Sequence, residues 1–146
     1  MANQKLVDFL LVEDDDDHAD LVIRALKKGR VVNRIDRARD GVEAMRFLRK
    51  EGEFAGVPRP DIVILDLKLP RKDGLEVLQE VRDDPHLSML PIVILTTSSA
   101  ETDRARAYEY HANSYLKKPI DFEQFRKMVE DLSLYWGVWN EAPPES

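Results

Sequence analysis

Cysteine is absent from the 146 residues. This excludes a disulfide framework and any metal site built on thiolates. Long apolar runs are missing too, and none approaches the roughly 20 residues that a helical membrane span requires. The opening "MANQKLVDFL" lacks a basic segment followed by a long apolar one, so no secretory signal is expected and the default location is the cytoplasm. Basic residues are in deficit, 22 Lys and Arg against 28 Asp and Glu, for a formal charge of −6. A nucleic-acid-binding face is therefore not expected as the main activity. No internal repeat is visible. What is present, 43% apolar and 34% charged residues, is the balance of one globular domain long enough to bury a core.

Three short apolar runs read as strands: Phe9 to Val12, Asp61 to Asp66 and Pro91 to Thr96. None alternates in polarity, which predicts strands covered on both faces, as in a parallel sheet. Ser114 to Leu116 is a shorter fourth. The polar run Asn33 to Ala38 suits an edge, where charge discourages pairing with other chains. Helical patterns lie between them. His18 to Lys28 carries Leu21, Val22, Ala25 and Leu26, with Gly29 as a stop. Asp40-Gly41 opens a second helix with Val42, Met45 and Leu48, and Asp73 or Gly74 a third that ends near Pro85. A fourth, Thr102 to His111, shows Tyr108 and Tyr110 among charges on its exposed face. A fifth starts after Asp121, with an apolar stripe of Phe122, Phe125, Val129, Leu132 and Trp136. Five βα repeats predict an α/β fold, a doubly wound five-stranded parallel sheet of strand order 2-1-3-4-5, which is flavodoxin-like. Ligands in such sheets collect at the carboxyl ends of the strands.

Those ends carry a particular chemistry. The first strand closes on Glu13 and Asp14, the third on Asp66 and the fourth on Thr96 and Thr97, while Lys117 and Lys118 follow the fifth. Three carboxylates converging on one edge repel, and a hard divalent cation with oxygen ligands relieves that repulsion. Mg²⁺ suits a small open site that keeps some waters. A hydroxyl and an ammonium beside them are what a transferred phosphoryl group requires, and a carboxylate can serve as its nucleophile. Singly, each residue has a plain reading as a cap, a strand end or a surface lysine. Asp15 to Asp17 keep theirs: negative charge at the start of the first helix.

The phrases "LLVEDD", "VILDLKLPRKDG", "VILTTS" and "NSYLKKP" stand in order at the strand ends. With them the chain resembles the response-regulator receiver domain of two-component signalling, from Leu6 to about Leu132. The resemblance implies that Asp66 is the phosphoacceptor, carrying a 4-aspartylphosphate. It implies that Asp14 binds Mg²⁺ directly, that Glu13 helps directly or through a water, and that the Lys68 backbone carbonyl completes the protein ligands. Thr96 would hydrogen-bond the phosphoryl group, Lys118 would pair with it, the Lys118-Pro119 bond would be cis, and Tyr115 would be the aromatic that changes rotamer. Strand alternation favours Lys118 over Lys117. The connection "RKEGEFAGVPRPD", together with "ILTTSSAETD", "ANSYLKKPIDFEQF" and "YWGVW", is similar to single-domain regulators paired with bacterial phytochrome histidine kinases. Lys68 departs from the asparagine frequent in that subfamily, and its amine could reach the phosphoryl oxygens or Asp15 to Asp17.

The expected organisation is one receiver domain over residues 1–140, a flexible tail over 141–146 and no output domain. Output would run through protein contacts, or the chain would serve as a phosphate carrier or sink in a relay, rather than through catalysis, nucleic acid or membrane. Tyr135, Trp136 and Trp139 extend past what the last helix needs for its own cover, which suggests a homodimer through the helix 4, strand 5 and helix 5 region. His18, His86 and His111 read as surface or capping residues. Two competing functions are an aspartyl-phosphate phosphatase and a receiver-like module without phosphorylation. The first lacks the second acid two residues after Asp66, where Lys68 stands. The second is disfavoured by the complete set of acids, threonine and lysine.

Overall fold

The computed structural model describes residues 6–28, 32–98 and 100–118, together with Glu123 and Lys127. Strands and helices alternate along it: β1 (Val7–Val12), α1 (Asp16–Lys28), β2 (Val32–Ala38), α2 (Gly41–Leu48), β3 (Ile62–Leu65), α3 (Gly74–Asp83), β4 (Ile92–Thr96), α4 (Glu101–Glu109) and β5 (Ser114–Lys117). All pairings are parallel, in the order β2-β1-β3-β4-β5. This is the doubly wound sheet expected from the sequence.

The unbroken apolar runs have the cause inferred for them. Side chains alternate across a strand, and here both faces are covered. Leu10, Val12, Val63, Leu65, Ile92 and Ile94 pack on one face against Met45 and Leu48 of α2 and Val77, Leu78 and Val81 of α3. Phe9, Leu11, Ile62, Ile64, Val93 and Leu95 pack on the other against Ala19, Val22, Ala25 and Leu26 of α1. Both edge strands are far less buried: β2 buries only Ala38, and β5 buries none of its residues.

Helix starts follow the capping chemistry in the sequence. The Asp40 carboxylate accepts from the Glu43 N–H at 2.8 Å, and that of Asp73 from the Glu76 N–H at 3.0 Å. The fourth helix is shorter than expected. It ends at Glu109, and His111 has a φ of 60°, a left-handed residue outside the helix. Tyr110 is half-buried and packs against the core, rather than standing among surface charges. The guanidinium of Arg82 in α3 donates to the carbonyls of Ser88 (3.1 Å), Leu90 (2.6 Å), Tyr110 (3.1 Å) and His111 (2.8 Å). One side chain thereby secures the loops that lead into β4 and β5.

The expected fifth helix, its stripe from Phe122 to Trp136, the aromatics Tyr135 and Trp139, and Pro119 lie outside the described residues, except that Glu123 and Lys127 are helical and exposed. No described helix is long and apolar enough to cross a membrane.

One glycine sets how closely α3 approaches the strand end. A Cβ at Gly74 would lie 2.2 Å from the Asp66 carbonyl oxygen and 2.7 Å from the Leu67 Cα, both backbone atoms that cannot swing aside. The Gly74 N–H closes the turn onto the Leu67 carbonyl at 2.9 Å. Gly74→Ala should therefore cost about 1–3 kcal/mol, the usual range for overpacking. Urea denaturation measures it, and an unchanged midpoint would contradict the close approach.

Candidate functional site

The parallel register aligns the site. Each residue just beyond a strand donates its backbone N–H to the final residue of a neighbour: Glu13 to the Ala38 carbonyl (3.0 Å), Asp66 to that of Val12 (3.0 Å) and Lys118 to that of Thr96 (2.7 Å). Glu13, Asp66, Thr96 and Lys118 are then drawn to one edge from four different parts of the chain. All four are buried, at 2%, 7%, 0% and 5% exposure, whereas Asp14 beside them is exposed. Glu13, Asp14 and Asp66 each offer a carboxylate oxygen, and these oxygens lie within 4.8 Å of one another.

Two buried carboxylates at this range need a counter-charge. Lys118 supplies it: its Nζ donates to Glu13 Oε1 and to Asp66 Oδ2, the latter at 3.0 Å. Burial still raises the Glu13 carboxyl above its ordinary range. The hydrogen bond from Lys118 draws it back, and the charge of Asp66 pushes it up again. Lys117 is exposed, whereas Lys118, the one favoured by strand alternation, is buried beside Asp66. The set fits a hard divalent cation, since its donors are clustered carboxylate oxygens with no sulfur or imidazole among them.

Several participants were not legible in the sequence. Arg37, on the polar edge strand, turns its Nε and Nη2 onto the Glu13 carbonyl at 3.0 and 2.9 Å, and its Nη1 onto Asp16 at 2.8 Å. It fixes the turn that carries Glu13 and Asp14. Arg37 and Arg39 lower the Asp16 carboxyl, chiefly through the Arg37 hydrogen bond. Asp15 caps α1 by accepting from the N–H groups of Asp17 (2.9 Å) and His18 (3.0 Å), as its plain reading implied. His18 is a correction. Its Nδ1 lies 3.0 Å from Lys118 Nζ, so it borders the site rather than merely capping or facing solvent.

Lys68 reaches neither Asp15 nor its neighbours. Its amine pairs with Asp103 of α4 at 3.4 Å. Asp103 also accepts from the Ser98 hydroxyl at 2.6 Å, and that bond is the main reason its carboxyl lies below the ordinary range. Ser98 is a junction. Its N–H donates to Thr96 Oγ1 at 3.3 Å, and its carbonyl accepts from the Tyr115 hydroxyl at 3.0 Å. A chain of polar contacts thus runs from the strand end at Thr96 to the edge strand β5. Asp14, Lys68, Asp103 and Arg106 also line a cavity of about 440 Å³ beside the acids.

A parallel 2-1-3-4-5 sheet with three acids, a threonine and a lysine at its carboxyl edge is a receiver arrangement, and comparison with known proteins agrees. The response regulator receiver domain family matches residues 9–130. The chain belongs to this family and is a receiver of two-component signalling. It is 44% identical over 134 residues to the probable methanogenesis regulatory protein FilR2 of Methanothrix harundinacea, covering 92% of this chain and 86% of that one. It is 42% identical over 127 residues to the response regulator Rcp1 of Synechocystis sp., covering 87% and 86%. The Mn²⁺-bound form of Rcp1 superposes with a TM-score of 0.77 at 39% identity, over 96% of this chain and 99% of that one. The phosphorylated cyanobacterial phytochrome response regulator RcpA gives 0.81 at 38% identity, with the same coverage. These relatives are regulators, and the similarity to phytochrome response regulators agrees with the finer resemblance of the sequence.

Arg37 generates a prediction. Arg37→Met removes two charged donors from the Glu13 carbonyl and should lower stability by about 1.5–3 kcal/mol. Arg37→Lys should recover only part of it, because an ammonium cannot reproduce the planar fork. Equal stability of Arg37→Met and wild type in urea would show that the clamp does not hold the turn.

Proposed function

We propose that the chain is a phosphoacceptor switch, taking a phosphoryl group on Asp66 from the phosphohistidine of a sensor histidine kinase. The observation that carries this reading is a buried aspartate at a receiver strand end with an ammonium 3.0 Å from its carboxylate. In the transfer an Asp66 oxygen forms the new O–P bond while the N–P bond of the donor breaks, its electron pair passing to the departing imidazole. Lys118 turns its charge from the free carboxylates to the incoming oxygens. Glu13, Asp14, Asp66 and the Lys68 carbonyl would hold Mg²⁺, which supplies charge neutralisation at the phosphoryl oxygens. The Mn²⁺-bound form of the related Rcp1 supports a divalent cation, and the kinase is read as a bacterial phytochrome from the likeness to RcpA.

The response follows from the Ser98 junction. When Thr96 Oγ1 turns to the new phosphoryl group, the Ser98 N–H loses its acceptor, and the Ser98 backbone also holds the Tyr115 hydroxyl. α4 is lightly anchored, burying only Ala107 in the core. Side-chain contacts at its start therefore weigh heavily in its position. Phosphorylation shifts the population between two packings of α4 and β5 and so changes partner preference. Residues 1–140 act as one receiver unit with 141–146 as a tail, and a cytoplasmic location is part of the same reading. A homodimer through the α4–β5 side and the following segment is supported by exposed Tyr108, with Arg104 over both Tyr108 and Tyr115 at about 6 Å.

Incubation with acetyl phosphate and Mg²⁺ should give acid-labile phosphate on wild type, none on Asp66→Asn, and little on wild type after chelation of the cation. Full uptake by Asp66→Asn would refute the assignment. Sedimentation should show self-association at high micromolar concentration, and a monomer with and without phosphate would remove the dimer.

A further inference from the structure

Lys118 has three N–H bonds to place. Glu13 Oε1 and Asp66 Oδ2 take two, and Nδ1 of His18 lies 3.0 Å from the same nitrogen. An ammonium has no lone pair to offer, so the ring nitrogen must accept and the neutral ring carries its proton on Nε2. His18 is held where it can do this. It stands in the first turn of α1, directly after the turn that presents Glu13 and Asp14, and the adjacent Ala19 is buried in the core with Val22. Its own side chain is 40% exposed, while that of Lys118 is 4% exposed. Burial of the lysine therefore leaves its third hydrogen no ready access to bulk water.

The three acceptors differ in what else they must do. Glu13 and Asp66 are groups that a divalent cation claims, and Asp66 is also the nucleophile. His18 has neither duty in this arrangement: it is not among the clustered metal-ligating groups. When the two carboxylates turn away, His18 is the partner that remains for the ammonium.

We infer that His18 is a positioning residue for phosphoryl uptake, accepting one Lys118 N–H so that the remaining two stay aimed at Glu13 and Asp66. The inference rests on the reading of Asp66 as phosphoacceptor. It adds a residue from the first helix to the machinery at the strand ends. The contact acts through Lys118, and His18 itself touches no phosphoryl oxygen.

The test compares His18→Asn, whose Oδ1 stands about where Nδ1 does, with His18→Leu, which matches Asn in shape and accepts nothing. Acetyl phosphate and saturating Mg²⁺ give the rate of uptake, and proton exchange of the Lys118 ammonium, followed by ¹⁵N–¹H NMR without phosphodonor, reports the contact itself. We expect His18→Leu to slow uptake roughly ten- to a hundredfold, the effect of one lost bond to a charged group, and to speed ammonium exchange. His18→Asn should restore most of both. Should His18→Leu disturb folding, His18→Ala replaces it in the same comparison. Unchanged uptake in the apolar variant, an equal loss in His18→Asn, or slower uptake without faster exchange would each overturn the inference. Failure of wild type itself to take up phosphate would overturn the Asp66 reading instead, and the exchange comparison would still decide whether His18 holds Lys118.

Discussion

The Lys118 ammonium lies buried between Glu13 and Asp66, and the carboxyl edge of the sheet depends on that placement. Two carboxylates out of water at hydrogen-bond range of one cation are tolerable together and costly apart, because removing one partner of a buried set leaves an uncompensated charge. The parallel register delivers the three groups to one place through backbone bonds to Ala38, Val12 and Thr96. Register and charge support one another. A one-residue slip of any of these strands would send its side chain to the other face and leave the remaining charges unmatched.

The same edge is connected outward by short polar steps. Ser98 touches Thr96 through its N–H, Asp103 through its hydroxyl and Tyr115 through its carbonyl. Lys68, two residues after Asp66, reaches the same Asp103. The strand end bearing Thr96, the loop after Asp66, the start of α4 and the edge strand β5 are thus linked through Ser98 and Asp103. A change at any of them must be accommodated by the others, and α4, with only Ala107 in the core, is the described α-helix with least apolar packing to resist.

Much of this was legible beforehand, for identifiable reasons. The central strands are apolar on both faces because α1 covers one and α2 and α3 the other, so their continuous runs were unambiguous. The predicted strand order places Glu13, Asp14, Asp66, Thr96 and Lys118 at one edge, and the fold brings them there. Long-range side-chain choices were not legible. Arg37 looked like a solvated edge residue, since nothing in "NRIDRA" says that its fork turns back onto the Glu13 carbonyl. His18 looked like a surface residue because its partner lies 100 positions away. For Lys68 the sequence left two partners open, the phosphoryl oxygens or Asp15 to Asp17, and its amine pairs with Asp103. The end of α4 was misplaced because His111 adopts a left-handed conformation that a helical pattern does not reveal. The competing phosphatase reading needs a second acid two residues after Asp66, where Lys68 stands.

The central claim is that Lys118 and a divalent cation relieve the same repulsion by different means. Thermal unfolding of wild type and Lys118→Met, each with and without Mg²⁺, tests it most directly. The account predicts that the variant is less stable than wild type without the cation and gains more from it, since binding to the folded state alone raises the midpoint and no ammonium competes for the carboxylates. A variant as stable as wild type in the absence of Mg²⁺, or one that gains no more than wild type from its addition, would contradict the account.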